Sequence, residues 1–222
     1  MTAIEDFLKA NESYAATFQE GDLPMPPARH VAVLTCMDAR LHPSRFLGLK
    51  EGDAHVIRNA GGRASDDAIR SLVISQQLLG TNTVLVIHHT DCGMLTFSNE
   101  DLRGKLKQEL HVDAGNIDFL PFRDLEQSVR NDVAKLKSSP LIPDSVDISG
   151  YIYDVKNREI APCDLVALVK PGPVVSTRLP CFSFRCSIAP PGIPNPLGNG
   201  TPAALAAVAP VSPASAPERY PC

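Results

Sequence analysis

The chain has 222 residues, a formal net charge of −4 at pH 7, 44% hydrophobic residues and 21% charged residues. Those figures describe a soluble globular domain with room for a proper core, or such a domain plus a tail. They argue against the basic face of a nucleic-acid binder, and no apolar run approaches the roughly 18 residues of a membrane span.

The opening stretch MTAIEDFLKA carries acids early and lacks a basic segment followed by an apolar one. It reads as the first helix of a mature cytoplasmic protein rather than a signal peptide. Thr2 caps that helix, Glu5 completes a capping box, and Ile4, Phe7, Leu8, Ala15 and Phe18 recur at helical spacing. Val31–Thr35 is short and continuously apolar, as a buried parallel strand should be. Pro43 suits the first turn of a short helix, and Ala54–Arg58 reads as a second strand.

The clearest helix follows. Ser65 is its N-cap, Asp66 and Asp67 complement its dipole, Ile69, Leu72, Val73 and Leu79 mark a face, and Gly80 stops it. Thr83–His89 is the third strand. Ser98–Leu110 and Asp124–Leu136 are two more helices, and Ile148–Val155 is a final strand. This alternation predicts an α/β fold: a mostly parallel central sheet flanked by helices.

Composition changes near residue 160. Of 20 prolines, 13 lie in 161–222, with only six charged residues there. Residues 1–160 are therefore expected to form the domain, and 161–222 an irregular, Pro-rich tail of disordered or atypical character. Of the six cysteines, only Cys36 and Cys92 lie in the well-patterned region, which favours thiolates as metal ligands over a disulfide framework. Cys163, Cys181, Cys186 and Cys222 are expected to be unpaired thiols in the tail.

Two strings carry the chemistry: Cys36-Met37-Asp38-Ala39-Arg40 and His89-Thr90-Asp91-Cys92-Gly93. Each follows a strand, and in parallel sheets ligands gather at the carboxyl ends of strands. If the first and third strands are neighbours, Cys36, His89 and Cys92 converge. Two thiolates and one imidazole leave a fourth position open on a tetrahedral zinc, which points to catalysis rather than scaffolding. His88 and His89 must point to opposite sheet faces, and the three-residue step to Cys92 favours His89 as the ligand. His88 is then a hydrogen-bonded histidine packed beneath the sheet. Zinc with two thiolates and a neutral imidazole carries no net charge, so it acidifies a bound water less than a tris-histidine site would.

Over residues 1–157 the chain resembles the β-class carbonic anhydrases, in particular their short bacterial and fungal members. The resemblance lies in TCMDAR at 35–40, GDAHVIRNAGG at 52–62, DDAIRSL at 66–72 and IHHTDCGMLTF at 87–97. It implies one Zn2+ per chain, held by Cys36, His89 and Cys92, and reversible hydration of carbon dioxide to bicarbonate by a zinc-held hydroxide. It also implies a homodimer or higher even oligomer, with the first helix reaching onto the partner. Asp38 and Arg40 become the paired aspartate and arginine beside the metal. Held by Arg40, Asp38 accepts a hydrogen bond from the attacking group; released, it becomes the fourth zinc ligand of a closed state. Asn59, Ala60 and Gly61 fall in the loop lining the cleft, and Gly93 follows the last ligand where the backbone turns around the metal. The motifs fit equally a related branch that hydrolyses carbon disulfide or carbonyl sulfide, or a catalytically silent zinc-stabilised homologue.

Overall fold

A computed structural model describes residues 2–163. The expected tail beyond Cys163, including Cys181, Cys186 and Cys222, lies outside the described residues.

The elements run α1 (Ala3–Ala15), β1 (Val31–Cys36), α2 (Pro43–Phe46), β2 (Ala54–Asn59), α3 (Asp66–Leu79), β3 (Thr83–His89), α4 (Asn99–Leu110), α5 (Leu125–Lys137), β4 (Asp147–Tyr153) and β5 (Ile160–Pro162). Local chemistry sets most boundaries. Thr2 and Glu5 form the reciprocal capping box at α1, and Ser65 Oγ accepts from the Ala68 N–H at α3. Gly80 closes α3 in the left-handed region, at φ 71°. Ser98 and Asp124, expected inside their helices, are N-caps just outside them. Asp66 and Asp67 are exposed in the first turn of α3, where their charge complements the helix dipole.

The sheet has the order β2-β1-β3-β4-β5. β1 pairs in parallel with both β2 and β3, and β3 with β4. The third strand is thus the neighbour of the first, as the metal reading requires. β5 is the exception: it returns antiparallel along β4, with Tyr151 opposite Pro162. The sequence reading missed it because three residues ending in proline carry no strand signature, and proline is tolerated there at the sheet edge. β5 straddles residue 160, and Cys163 just after it is buried in the core rather than lying in the tail. Its thiol donates toward the Glu126 carbonyl at 3.6 Å.

Strand alternation divides the core. Ala32, Leu34, Val84 and Val86 face α3 and α5, packing on Leu72, Val129, Val133 and Leu136. Val33, Leu85 and Ile87 face the other way, toward Leu41, Phe46, Phe122 and Tyr153. Gly150 lets α5 lie close to the sheet: a Cβ there would meet Val129 Cγ1 at 2.5 Å. α1 and α4 contribute no buried residue. Among the described residues the expected apolar face of α1 has no packing partner, with Ile4, Phe7 and Leu8 exposed at 69%, 71% and 60%. Among the described residues, no helix is long and apolar enough to cross a membrane.

Candidate metal centre

Parallel pairing brings the carboxyl ends of β1 and β3 together, and Cys36 and His89 with them. Cys92 follows after a tight turn whose pivot is Asp91, at φ 55°. Gly93 directly follows Cys92, as the sequence places it. It opens a short 3-10 turn, Gly93–Leu95, and a Cβ there would meet nothing within 4 Å. Aspartate is among the few non-glycine types that adopt this conformation readily.

The ligand atoms of Cys36, His89 and Cys92 all lie within 4.8 Å of one another, and all three residues are buried. Tetrahedral zinc with bonds of about 2.0–2.3 Å brings such atoms to roughly 3.5–3.8 Å, so a small contraction closes the site. The His89 ring supplies the most specific sign. Its Nδ1–H donates to the Thr90 carbonyl at 2.9 Å, which leaves the Nε2 lone pair as the free one. Nε2 is buried and has no hydrogen-bond partner. A buried polar atom left unsatisfied costs about 1–3 kcal/mol, and a metal ion removes that cost.

The thiols are polarised against each other. Cys92 donates to Cys36, and this, with the nearby His89 ring and the backbone N–H groups of Asp38 and Gly61, outweighs burial and draws the Cys36 thiol well below its usual value. The same hydrogen bond and burial push Cys92 up, against help from the Met94 N–H. The two thiols are thus pulled in opposite directions, and a cation held between them would require both to give up their protons.

Asp38 stands beside this group, with Oδ2 3.9 Å from His89 Nε2. It is turned away into a fork: Arg40 Nε reaches Oδ1 at 3.0 Å and Nη2 reaches Oδ2 at 2.8 Å, while the Arg40 backbone N–H also donates to Oδ1. Those bonds hold the Asp38 carboxyl down at about 2. The fork engages both oxygens of the Asp38 carboxylate.

Asn59 and Gly61 lie next to the site but act through the backbone. The Asn59 amide donates to the Arg63 carbonyl at 2.8 Å and its oxygen accepts the Arg63 N–H at 2.7 Å, so it ties the 59–63 loop. Gly61 contributes its N–H to the Cys36 sulfur. Gly62, at φ 69°, is the close approach: a Cβ would lie 2.9 Å from Cys36 N.

Sequence reasoning passed over four residues. Arg58 donates to the Cys36 carbonyl at 3.0 Å and the Asp38 carbonyl at 2.7 Å, which fixes the loop carrying both. Asp91 holds Arg40 at 2.6 Å. Behind the loop, Arg63 and Asp132 form a buried pair at 2.7 Å. Arg58 and Asp91 stood inside strings already singled out. Arg63 and Asp132 are 69 positions apart, and nothing local joins them.

Fold and site together define an α/β protein with a buried two-cysteine, one-histidine group that could hold a metal ion, at the carboxyl edge of a parallel sheet. The family model for carbonic anhydrase matches residues 31–160. Beta-carbonic anhydrase 1 of Mycobacterium tuberculosis is 43% identical over 167 residues, covering 73% of this chain and 100% of that protein. The solved carbonic anhydrase of Streptococcus mutans superposes with a TM-score of 0.71 at 53% identity, covering 74% of this chain and 99% of that one. A carbon disulfide hydrolase of Saccharolobus solfataricus is 36% identical over 180 residues, covering 71% and 87%. The chain belongs to the β-carbonic anhydrase family of lyases.

Proposed function

We propose that the protein catalyses the reversible hydration of carbon dioxide to bicarbonate with one zinc per chain, held by Cys36, His89 and Cys92. The observation that carries this reading is the orphaned, buried Nε2 of His89 facing two thiols, with a carboxylate held just aside. When bound there, zinc supplies a Lewis acid that makes a water at its open position acidic and nucleophilic.

The chain's own residues do the rest. The Thr90 carbonyl fixes the His89 tautomer. The N–H groups of Asp38 and Gly61 stabilise the Cys36 thiolate. Asp38, kept ionised by Arg40, would accept a hydrogen bond from the O–H of the attacking oxygen and so turn that oxygen's lone pair toward the carbon of the substrate. Should Arg40 let go, Asp38 is close enough to become the fourth ligand, which closes the site. Arg40→Ala is therefore expected to lower kcat at least tenfold with zinc retained, measured by stopped-flow hydration and metal analysis. Wild-type kcat in that variant would remove the pair from the mechanism.

Hydrolysis of carbon disulfide or carbonyl sulfide is the second reading, favoured by the similarity to carbon disulfide hydrolases. Hydrogen sulfide release from carbon disulfide, without carbon dioxide hydration, would establish it. The working unit is a homodimer or higher even oligomer. The unpartnered apolar face of α1 supports this, because an isolated helix of 13 residues is marginal in water and needs a surface to cover it.

A further inference from the structure

Arg40 has two edges, and Asp38 occupies only one of them. On the other edge Nη1 donates to Asp91 Oδ2 at 2.6 Å and Nη2 donates to the Asp91 carbonyl oxygen at 2.9 Å. The guanidinium thus bridges the loop after β1 and the loop after β3. Asp91 lies between the ligands His89 and Cys92, so the metal fixes the very turn that presents it.

This second grip matters because it anchors the opposite edge of the same half-exposed planar group. The Arg40 side chain is 49% exposed and its partners Asp38 and Asp91 are 18% and 71% exposed, so an ion pair on one edge alone holds the guanidinium loosely. A free arginine carries rotamer entropy that a single partner must overcome. Anchoring both edges of the planar fork removes that freedom before Asp38 is engaged. The turn at residue 91 could be made equally by asparagine or glycine. What aspartate adds there is the carboxylate, and it is aimed at Arg40.

We infer that Asp91 is a positioning residue that locks Arg40 in place and thereby sets how often Asp38 is released onto the metal. The inference rests on the zinc-site reading above. It assigns the control of the open and closed states to three residues rather than two: Asp38 moves, Arg40 holds it, and Asp91 holds Arg40. Asp91 touches neither substrate nor metal in this role.

The test is a double-mutant cycle on the zinc-loaded full chain. Asp91→Asn keeps the turn and removes the charge; Asp91→Gly keeps the turn and removes the side chain, and serves if the first variant folds poorly. Two readouts are taken: kcat and KM for carbon dioxide hydration, and the crystallographic occupancy of Asp38 on the metal. Either variant is expected to lower kcat about fivefold with KM nearly unchanged, the upper end for an exposed ion pair, and to raise the Asp38-on-metal occupancy. In an Arg40→Ala background the same substitution is expected to change nothing further. An equal loss in both backgrounds, or an Asp38 occupancy equal to wild type, would overturn the inference. Absence of hydration in the wild type would instead overturn the proposed reaction, and the Asp38 occupancies would still decide the role of Asp91.

Discussion

His88 and His89 are adjacent on β3 and both fully buried, yet they sit in opposite chemical circumstances. His88 faces α5. Its Nδ1 pairs with Ser128 Oγ at 2.7 Å, and its Nε2 lies 3.2 Å from the Gly62 carbonyl and 3.3 Å from Asp132 Oδ2. Phe122 stacks on its ring at 5.6 Å between centroids. His89 faces the other way, with one nitrogen satisfied by a backbone carbonyl and the other by nothing. Burial does not separate structure from function here; the state of the last lone pair does. A satisfied buried imidazole stabilises a fold, whereas an unsatisfied one beside two thiols waits for a cation.

The sharpest way to break this comparison is to replace each histidine in turn. His89→Ala should take zinc from about one per chain to near zero and abolish hydration, with the fold retained. His88→Ala should keep the zinc and lose roughly 1–3 kcal/mol of stability, because Ser128 and Asp132 lose a buried partner. Metal analysis and denaturant unfolding on both variants read the two effects. Equal zinc loss in the two would erase the distinction.

The reverse side has its own centre of weight, the Arg63–Asp132 pair. Arg63 also donates to the Leu120 carbonyl at 2.8 Å and lies over the Phe122 ring. Arg63→Ala leaves the buried Asp132 carboxylate with His88 alone and should cost about 3 kcal/mol in unfolding free energy. Because the 59–63 loop packs on Cys36, zinc affinity should fall as well. A variant as stable as wild type would show that the pair is not what holds the loop.

Titration sharpens the same contrast more gently. Burial pushes the Asp132 carboxyl up, but the hydrogen bonds from His88 and Arg63 outweigh it and the net displacement is downward. A depressed folded value means that this stability is fully present above the unfolded value of about 4, and is lost as pH falls through the folded value. The thermal midpoint of wild type should therefore drop more steeply below about pH 4 than that of Asp132→Asn. Parallel curves would contradict it. The smallest expected effect on the folded protomer belongs to α1: Phe7→Ser leaves its stability within about 0.5 kcal/mol but should shift the oligomer toward monomer in sedimentation. An unchanged oligomer would remove α1 from the interface.

What could be read from sequence was whatever has a local cause. β1 and β3 announce themselves as short apolar runs, α3 and α5 by periodicity, and their ends by Ser65, Gly80 and proline at Pro43. The three metal-site residues were legible because strand ends are positions that a sequence can locate, and alternation separates His89 from His88. The α4 segment is helical as expected, although Leu102, Leu106 and Leu110, spaced by four along it, are not buried. Capping and helix-forming residues suffice for that segment without a core. The remainder depends on pairings across long sequence distances. Arg40 meets Asp91 across 51 positions and Arg63 meets Asp132 across 69. β5 and the burial of Cys163 follow from a return of the chain that a proline-containing tripeptide does not signal.

The most direct test of the central claim pairs metal analysis with stopped-flow carbon dioxide hydration on one preparation, before chelation, after it and after zinc is restored. The structure predicts about one zinc per chain, hydration that disappears with the metal and returns with it, and neither in Cys92→Ser. A zinc-loaded protein that hydrates no carbon dioxide at any pH would contradict it.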